Sequence, residues 1–109
     1  MIRVTAYDAF GNIYKSTDLE NYPSHYNWPA VVLPDGSVWS MPAIVVEPLD
    51  GEASILNAHY IVELLSYNGT VIREWETLTR PATVRERCVL ICEKGEVWAF
   101  GNYLVRAVE

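Results

Sequence analysis

The chain has 109 residues, half of them apolar and a fifth charged, a size at which one hydrophobic core is complete and a balance that excludes a disordered chain. A net charge of −6 sets it against unaided binding to DNA or RNA, which needs clustered Lys and Arg facing the phosphates. The apolar runs, those at 43–46 and 60–62 among them, fall far short of the roughly eighteen residues that cross a bilayer.

The charge is uneven. Residues 1–54 carry two basic and seven acidic side chains, and residues 55–109 carry six and seven. The N-terminus alternates instead of setting a long apolar stretch behind a basic end, so no secretory leader is expected and the expected compartment is the cytoplasm. If residues 88–92 form a strand, Cys88 and Cys92 stand roughly 13 Å apart, beyond disulfide reach. Two thiols and two isolated histidines, His25 and His59, make no metal-binding spacing. No metal or other cofactor is expected.

In chain order, residues 2–7 alternate Ile2, Val4 and Ala6 against Arg3, Thr5 and Tyr7, the period of a half-buried strand, and turn through 8–12 into a second strand. Residues 16–28 show no period and read as a long loop broken by Pro23. Residues 30–40 predict a hairpin in which Pro34 takes the first corner of a type I turn, Gly36 the positive-φ position after it, and Val31 lies opposite Trp39. The β-branched run 43–47 predicts a strand covered on both faces and ended by Pro48.

The middle of the chain supports two readings. Residues 50–69 fit a helix with Asp50 as cap and Leu56, Tyr60, Leu64 and Tyr67 on one face. Residues 60–76, turning at Asn68-Gly69, fit a hairpin. The composite expectation is a short helix near 51–58 followed by that hairpin. Residues 77–86 predict a second loop, broken by Pro81. Residues 87–108 predict three strands, turning at 93–95 and at Gly101-Asn102, with Leu90 opposite Trp98.

The segments "PDGSVWS" (34–40) and "EKGEVWA" (93–99) are two versions of one hairpin, and the halves around them share an order: strand, glycine turn, strand, proline loop, hairpin, final strand. Gly11 matches Gly69, Gly36 matches Gly95, Trp39 matches Trp98 and Val45 matches Val105. An internal duplication of 2–48 and 60–108 accounts for this, with the two tryptophans anchoring one shared core. The resemblance of all hairpins to one another accounts for it too. Either way the expected fold is a single, mainly β domain, a small antiparallel sandwich or barrel.

Chemistry is sparsely written. The sequence has no phosphate-cradling glycine loop, nucleophile elbow, zinc helix or calcium loop, and no enzyme activity is expected. Glu74 and Glu76 share one strand face and read as solvated carboxylates. The loop "LENYPSHYNW" concentrates Tyr22, His25, Tyr26 and Trp28, residue types enriched at binding hot spots. The second loop brings together Arg80, Arg85 and Arg87, which either fork onto an anion or pair with nearby glutamates.

Three functions follow. The first is a non-catalytic binding protein, of the inhibitor or phage and mobile-element accessory type, that engages another protein through an aromatic and acidic loop surface. The second is a nucleotide or anionic signal-molecule binder that uses the arginines and a stacking aromatic ring. The third is a structural subunit, with homo-oligomers formed through exposed sheet edges.

Overall fold

The computed structural model describes residues 1–23, 25–27, 30–49, 58–84, 88–91 and 96–108. Among these, twelve strands form and no helix: β1 (Ile2–Tyr7), β2 (Ile13–Leu19), β3 (His25–Asn27), β4 (Ala30–Val32), β5 (Val38–Trp39), β6 (Ala43–Pro48), β7 (Tyr60–Leu65), β8 (Val71–Thr77), β9 (Ala82–Val84), β10 (Cys88–Ile91), β11 (Val97–Phe100) and β12 (Asn102–Ala107). The short helix expected near 51–58 lies outside the described residues except for Ala58, which is not helical. The longer helical reading fails at 60–65, where alternating Val62 and Leu64 fill a buried strand face.

The strands pair antiparallel into a six-stranded sheet, β2-β1-β6-β11-β10-β9, and two three-stranded sheets, β12-β7-β8 and β3-β4-β5. Side chains on a strand alternate between faces, and the two apolar clusters divide the large sheet accordingly. On one face Ile2, Val4, Ala6, Ile44, Val46, Trp98 and Phe100 meet Val31 and Leu33 of the β3-β4-β5 layer. On the other, Tyr7, Ala43, Val45, Val97 and Ala99 meet Val62, Leu64 and Trp75 of the β12-β7-β8 layer. The architecture is a layered antiparallel sandwich whose middle sheet is covered on both sides.

That arrangement explains the continuous apolar runs. Ile44, Val45 and Val46 have no exposed surface, and all four residues of β11 are buried. A strand buried on both faces gains nothing from alternation. It also corrects the first strand: only Arg3 of β1 is exposed, because Thr5 and Tyr7 turn toward the second covering layer.

Three hairpins share one turn. Residue i accepts the amide of a glycine at i+3, and the strands close again at i+4: Asp8 to Asn12, Leu33 to Ser37, Ser66 to Thr70. The glycine has positive φ in each, 87° at Gly11, 92° at Gly36 and 84° at Gly69, a conformation that costs a residue with a Cβ. Pro34 and Gly36 occupy the positions expected of them, and the pairs Val31↔Trp39 and Leu90↔Trp98 have the expected register.

Other boundaries move. The first loop is shorter than expected, since β2 runs to Leu19 and β3 forms at His25–Asn27, and the second contains β9. Gly101 makes no hairpin. β11 pairs with β6, whereas β12 leaves for β7 in another sheet. A single residue separates the two strands, and Gly101 bends the chain between layers at φ 141°, packed against the Pro42 carbonyl and Ala43.

The halves repeat in register as well as in order. Ile2↔Leu19 recurs as Tyr60↔Thr77, and the irregularity between Ala6 and Tyr7 recurs between Leu64 and Leu65, each position 58 residues on. Ile2↔Pro48 recurs as Tyr60↔Ala107, so β6 maps onto β12 at an offset of 59 and the counterpart of Val45 is Leu104, not Val105. Among the described residues each half holds six strands rather than five, because each proline loop contributes a short one.

Candidate functional site

The β1–β2 and β7–β8 turns stand side by side at one end of the molecule. The Tyr67 amide donates to the Ala9 carbonyl at 3.3 Å, and Gly11 lies against Ile72 and Ser66. Both turns are locked from within. Asp8 Oδ1 accepts the amides of Phe10 and Asn12 at 2.9 Å each, and these donors, Asn12 foremost, hold the Asp8 carboxyl below the usual carboxylate range. In the second turn, Ser66 Oγ and Asn68 Oδ1 both accept the Thr70 amide at 3.2 Å.

Rigid turns of this kind hold their central side chains in solvent. Phe10, Ile13, Tyr14 and Tyr67 are each two-thirds or more exposed, and Val71, paired with Leu65 next to the second turn, is also exposed. Isolated apolar residues on a surface are ordinary; here Phe10 and Tyr67 stand on adjacent turns and Ile13 and Tyr14 at the start of β2, all in solvent.

The irregularity in the β1–β2 ladder extends this surface to a cleft. Ala6 pairs with Lys15 and Tyr7 with Ile13, leaving Tyr14 as the extra residue of a bulge. Bulges re-aim side chains, and Tyr14 and Lys15, although adjacent in sequence, both line a cleft of about 460 Å³ together with Ser37, Val38, Trp39 and Met41. Lys15 Nζ sits 5.6 Å from the Trp39 ring centroid, a cation–π contact that fixes the indole at the cleft wall. At the rim, Ser37 holds the Asp35 carboxyl below its usual range, chiefly through its side chain and then its amide at 2.8 Å, with Lys15 adding to the effect.

The residues singled out from sequence fall in different places. Tyr22 is half-buried, its hydroxyl donating to the Glu96 carbonyl and its ring 5.3 Å from that of Trp98. It therefore ties the first proline loop to the core. His25 and Tyr26 lie on β3, an edge strand described by its backbone, while Trp28, Arg85 and Arg87 lie outside the described residues. Arg80 is exposed and lines a separate cleft of about 570 Å³ with Tyr60, Pro81, Thr83 and Val105. The two proline loops lead to edges of different sheets. Glu74 and Glu76 are solvated as expected, but Trp75 between them is buried under Arg73, whose guanidinium lies 5.0 Å from the ring centroid.

The turn residues Phe10 and Tyr67 carried a signal in the sequence. A large apolar side chain at the centre of a three-residue turn is directed outward, and both are exposed. Among the described residues, no cluster of three or more His, Cys, Asp or Glu is arranged to hold a metal ion, and no helix is long and apolar enough to cross a membrane. In comparisons with known proteins, no family model matches the chain, and neither does any curated protein or solved structure.

Proposed function

We propose that this chain is a non-catalytic cytoplasmic binding protein that engages another protein through the apolar end formed by Phe10, Ile13, Tyr14 and Tyr67. The supporting observation is the exposure of Phe10 and Tyr67 on two turns joined by a backbone hydrogen bond, with Ile13 and Tyr14 exposed where β2 begins. Aromatic anchors on a rigid frame lose little entropy on binding. The net charge of −6 disfavours nucleic acid and anionic membrane as the partner. The loop bearing His25, Tyr26 and Trp28 is the second contact candidate on the same protein-binding reading.

The test compares the wild type with a Phe10→Ser/Tyr67→Ser variant as bait in a native lysate, both shown to melt at the same temperature. The expected result is a partner retained by the wild type and lost by the variant. Equal retention refutes the assignment to the turns, and loss only in Tyr26→Ala or Trp28→Ala moves the contact to the proline loop.

A specific observation favours a second reading: the Arg80 side chain shares its cleft with Tyr60, a guanidinium and a ring of the kind that holds a nucleotide or another planar anion. A ligand that binds only the folded chain raises its melting temperature. A panel of nucleotides that leaves the melting temperature unmoved at millimolar concentration removes this reading.

A further inference from the structure

The joint between β6 and β11 is made once inside the chain, and the pieces of a second such joint are present but unjoined. In the first, Trp98 pairs with Val46, Ala99 with Val45 and Phe100 with Ile44. Through the offset of 59 that relates β4–β5 to β10–β11 and β6 to β12, the equivalent pairs are Trp39 with Val105, Ser40 with Leu104, and Met41 with Tyr103. Those pairs do not form within the chain: among the described residues β5 pairs with β4 alone and β12 with β7 alone, each at the edge of its sheet and in layers on opposite sides of the middle sheet.

Burial records the difference. The joined residues Ile44, Val45, Val46, Ala99 and Phe100 are at most 1% exposed, whereas Leu104 is 48% exposed, Ser40 is exposed, and Trp39, Met41, Tyr103 and Val105 are covered only in part. These edges also carry less charge of their own than the other long edges. Exposed strands are usually blunted by charge or proline, and the other long edges follow that rule, with Lys15 and Asp18 on β2 and Arg73, Glu74 and Glu76 on β8. Residues 38–41 carry no charge, and Arg106 is the one charged residue of β12.

We infer that the chain is a tandem of one six-strand unit, and that the edge of β12 takes the β5 edge of a second copy in the register of the internal joint. Trp39 and Met41 of the second copy then lie beside Val105 and Tyr103, as Trp98 and Phe100 lie beside Val46 and Ile44. One joint leaves a free β5 at one end and a free β12 at the other. Association is therefore head-to-tail, and it grows with concentration until a ring closes.

Cross-linking reads the register directly, because opposed residues of an antiparallel pair stand about 4.5–5.5 Å apart between Cα atoms, within disulfide reach. Ser40→Cys and Leu104→Cys are made separately in differently tagged chains, both positions being exposed enough to leave the fold intact, and are oxidised alone and mixed. The expected product is a disulfide between the two introduced thiols, joining the two tags and confirmed by peptide mass, in the mixture only. Its absence from the mixture overturns the inference, as does self-linkage of either variant alone through its introduced thiol. A Ser40→Cys/Leu104→Cys chain that closes only on itself also overturns it, by placing the joint within one copy. Sedimentation of the wild type supplies the independent reading: mass rising with concentration is expected, and a monomer throughout refutes it.

Discussion

Replacing Trp98 with alanine removes the largest side chain of the first core cluster. Trp98 is 6% exposed and packs among Ile2, Val4, Ile44 and Phe100, with Tyr22 against its ring and its indole N–H donating to the Glu96 carboxylate. Burying about 200 Å² of indole at about 25 cal/mol per Å² is worth about 5 kcal/mol. A denatured chain that already hides part of that surface lowers the figure by about a quarter, and the cavity left behind restores some of it. The expected cost is about 4 kcal/mol, or about 20 °C in Tm for a chain of this length. Trp39, packed against the same cluster but only half-buried, should cost about 2 kcal/mol by the same reasoning. Urea unfolding of both variants, followed by the remaining tryptophans, measures the pair. Equal losses, or a Trp98→Ala loss below about 1 kcal/mol, would refute the asymmetry between the two indoles that the layered arrangement requires.

Three further predictions follow from single contacts. Arg73 donates two bonds of 2.7 Å to Glu47, whose side chain is 15% exposed. Arg73→Met should therefore cost about 2 kcal/mol by leaving that carboxylate unpaired, and Glu47→Met in the same chain should recover most of it; calorimetry of the double-mutant cycle checks this, and additive losses contradict it. A Cβ on Gly101 would lie 3.0 Å from the Pro42 carbonyl oxygen, whereas one on Gly36 meets nothing within 4 Å. Both sites have positive φ, so Gly36→Ala should cost about 1 kcal/mol and Gly101→Ala at least twice that, a ranking that denaturant titration would reverse if the corner between β11 and β12 were misplaced. Finally, Asp8, Asp18 and Asp35 are each held below the usual carboxylate range, by Asn12, Arg3 and Ser37 respectively. Their folded-state values lie below the unfolded value of about 3.9, so their contribution is full above that pH and disappears as pH falls through the folded values. The urea midpoint should drop on acidification below about pH 4, less steeply in Asp8→Asn, and identical profiles for the two proteins would contradict the turn's role.

The hairpins were legible because their information is local. The Pro34 and Gly36 turn chemistry and the alternation around Val31 and Trp39 specify one register, and that register is found. Layering was not legible, because which sheet a strand joins depends on partners distant in sequence. Val97 and Ala99 face one layer while Trp98 and Phe100 face the other, and nothing in "EVWAFGN" says that the chain leaves the sheet at Gly101 instead of folding back. Trp75 alternates with Glu74 and Glu76 in the period of a half-buried strand, but only the layering shows that its face lies against the middle sheet. Of the candidate site, Tyr22 was visible as an aromatic in a loop, but its bond to the Glu96 carbonyl spans 74 residues. Phe10 and Tyr67, by contrast, were readable from their turn positions alone.

The account rests on the β6–β11 joint at the centre of a sheet buried on both faces, and hydrogen exchange tests that joint most directly. The amides of Ile44 to Val46 and of Trp98 to Phe100 should open only with global unfolding, with protection that follows denaturant stability, while those of β2 and β12 exchange through local fraying. Protection of β11 no greater than that of β2 would contradict the joint and the layered architecture built on it.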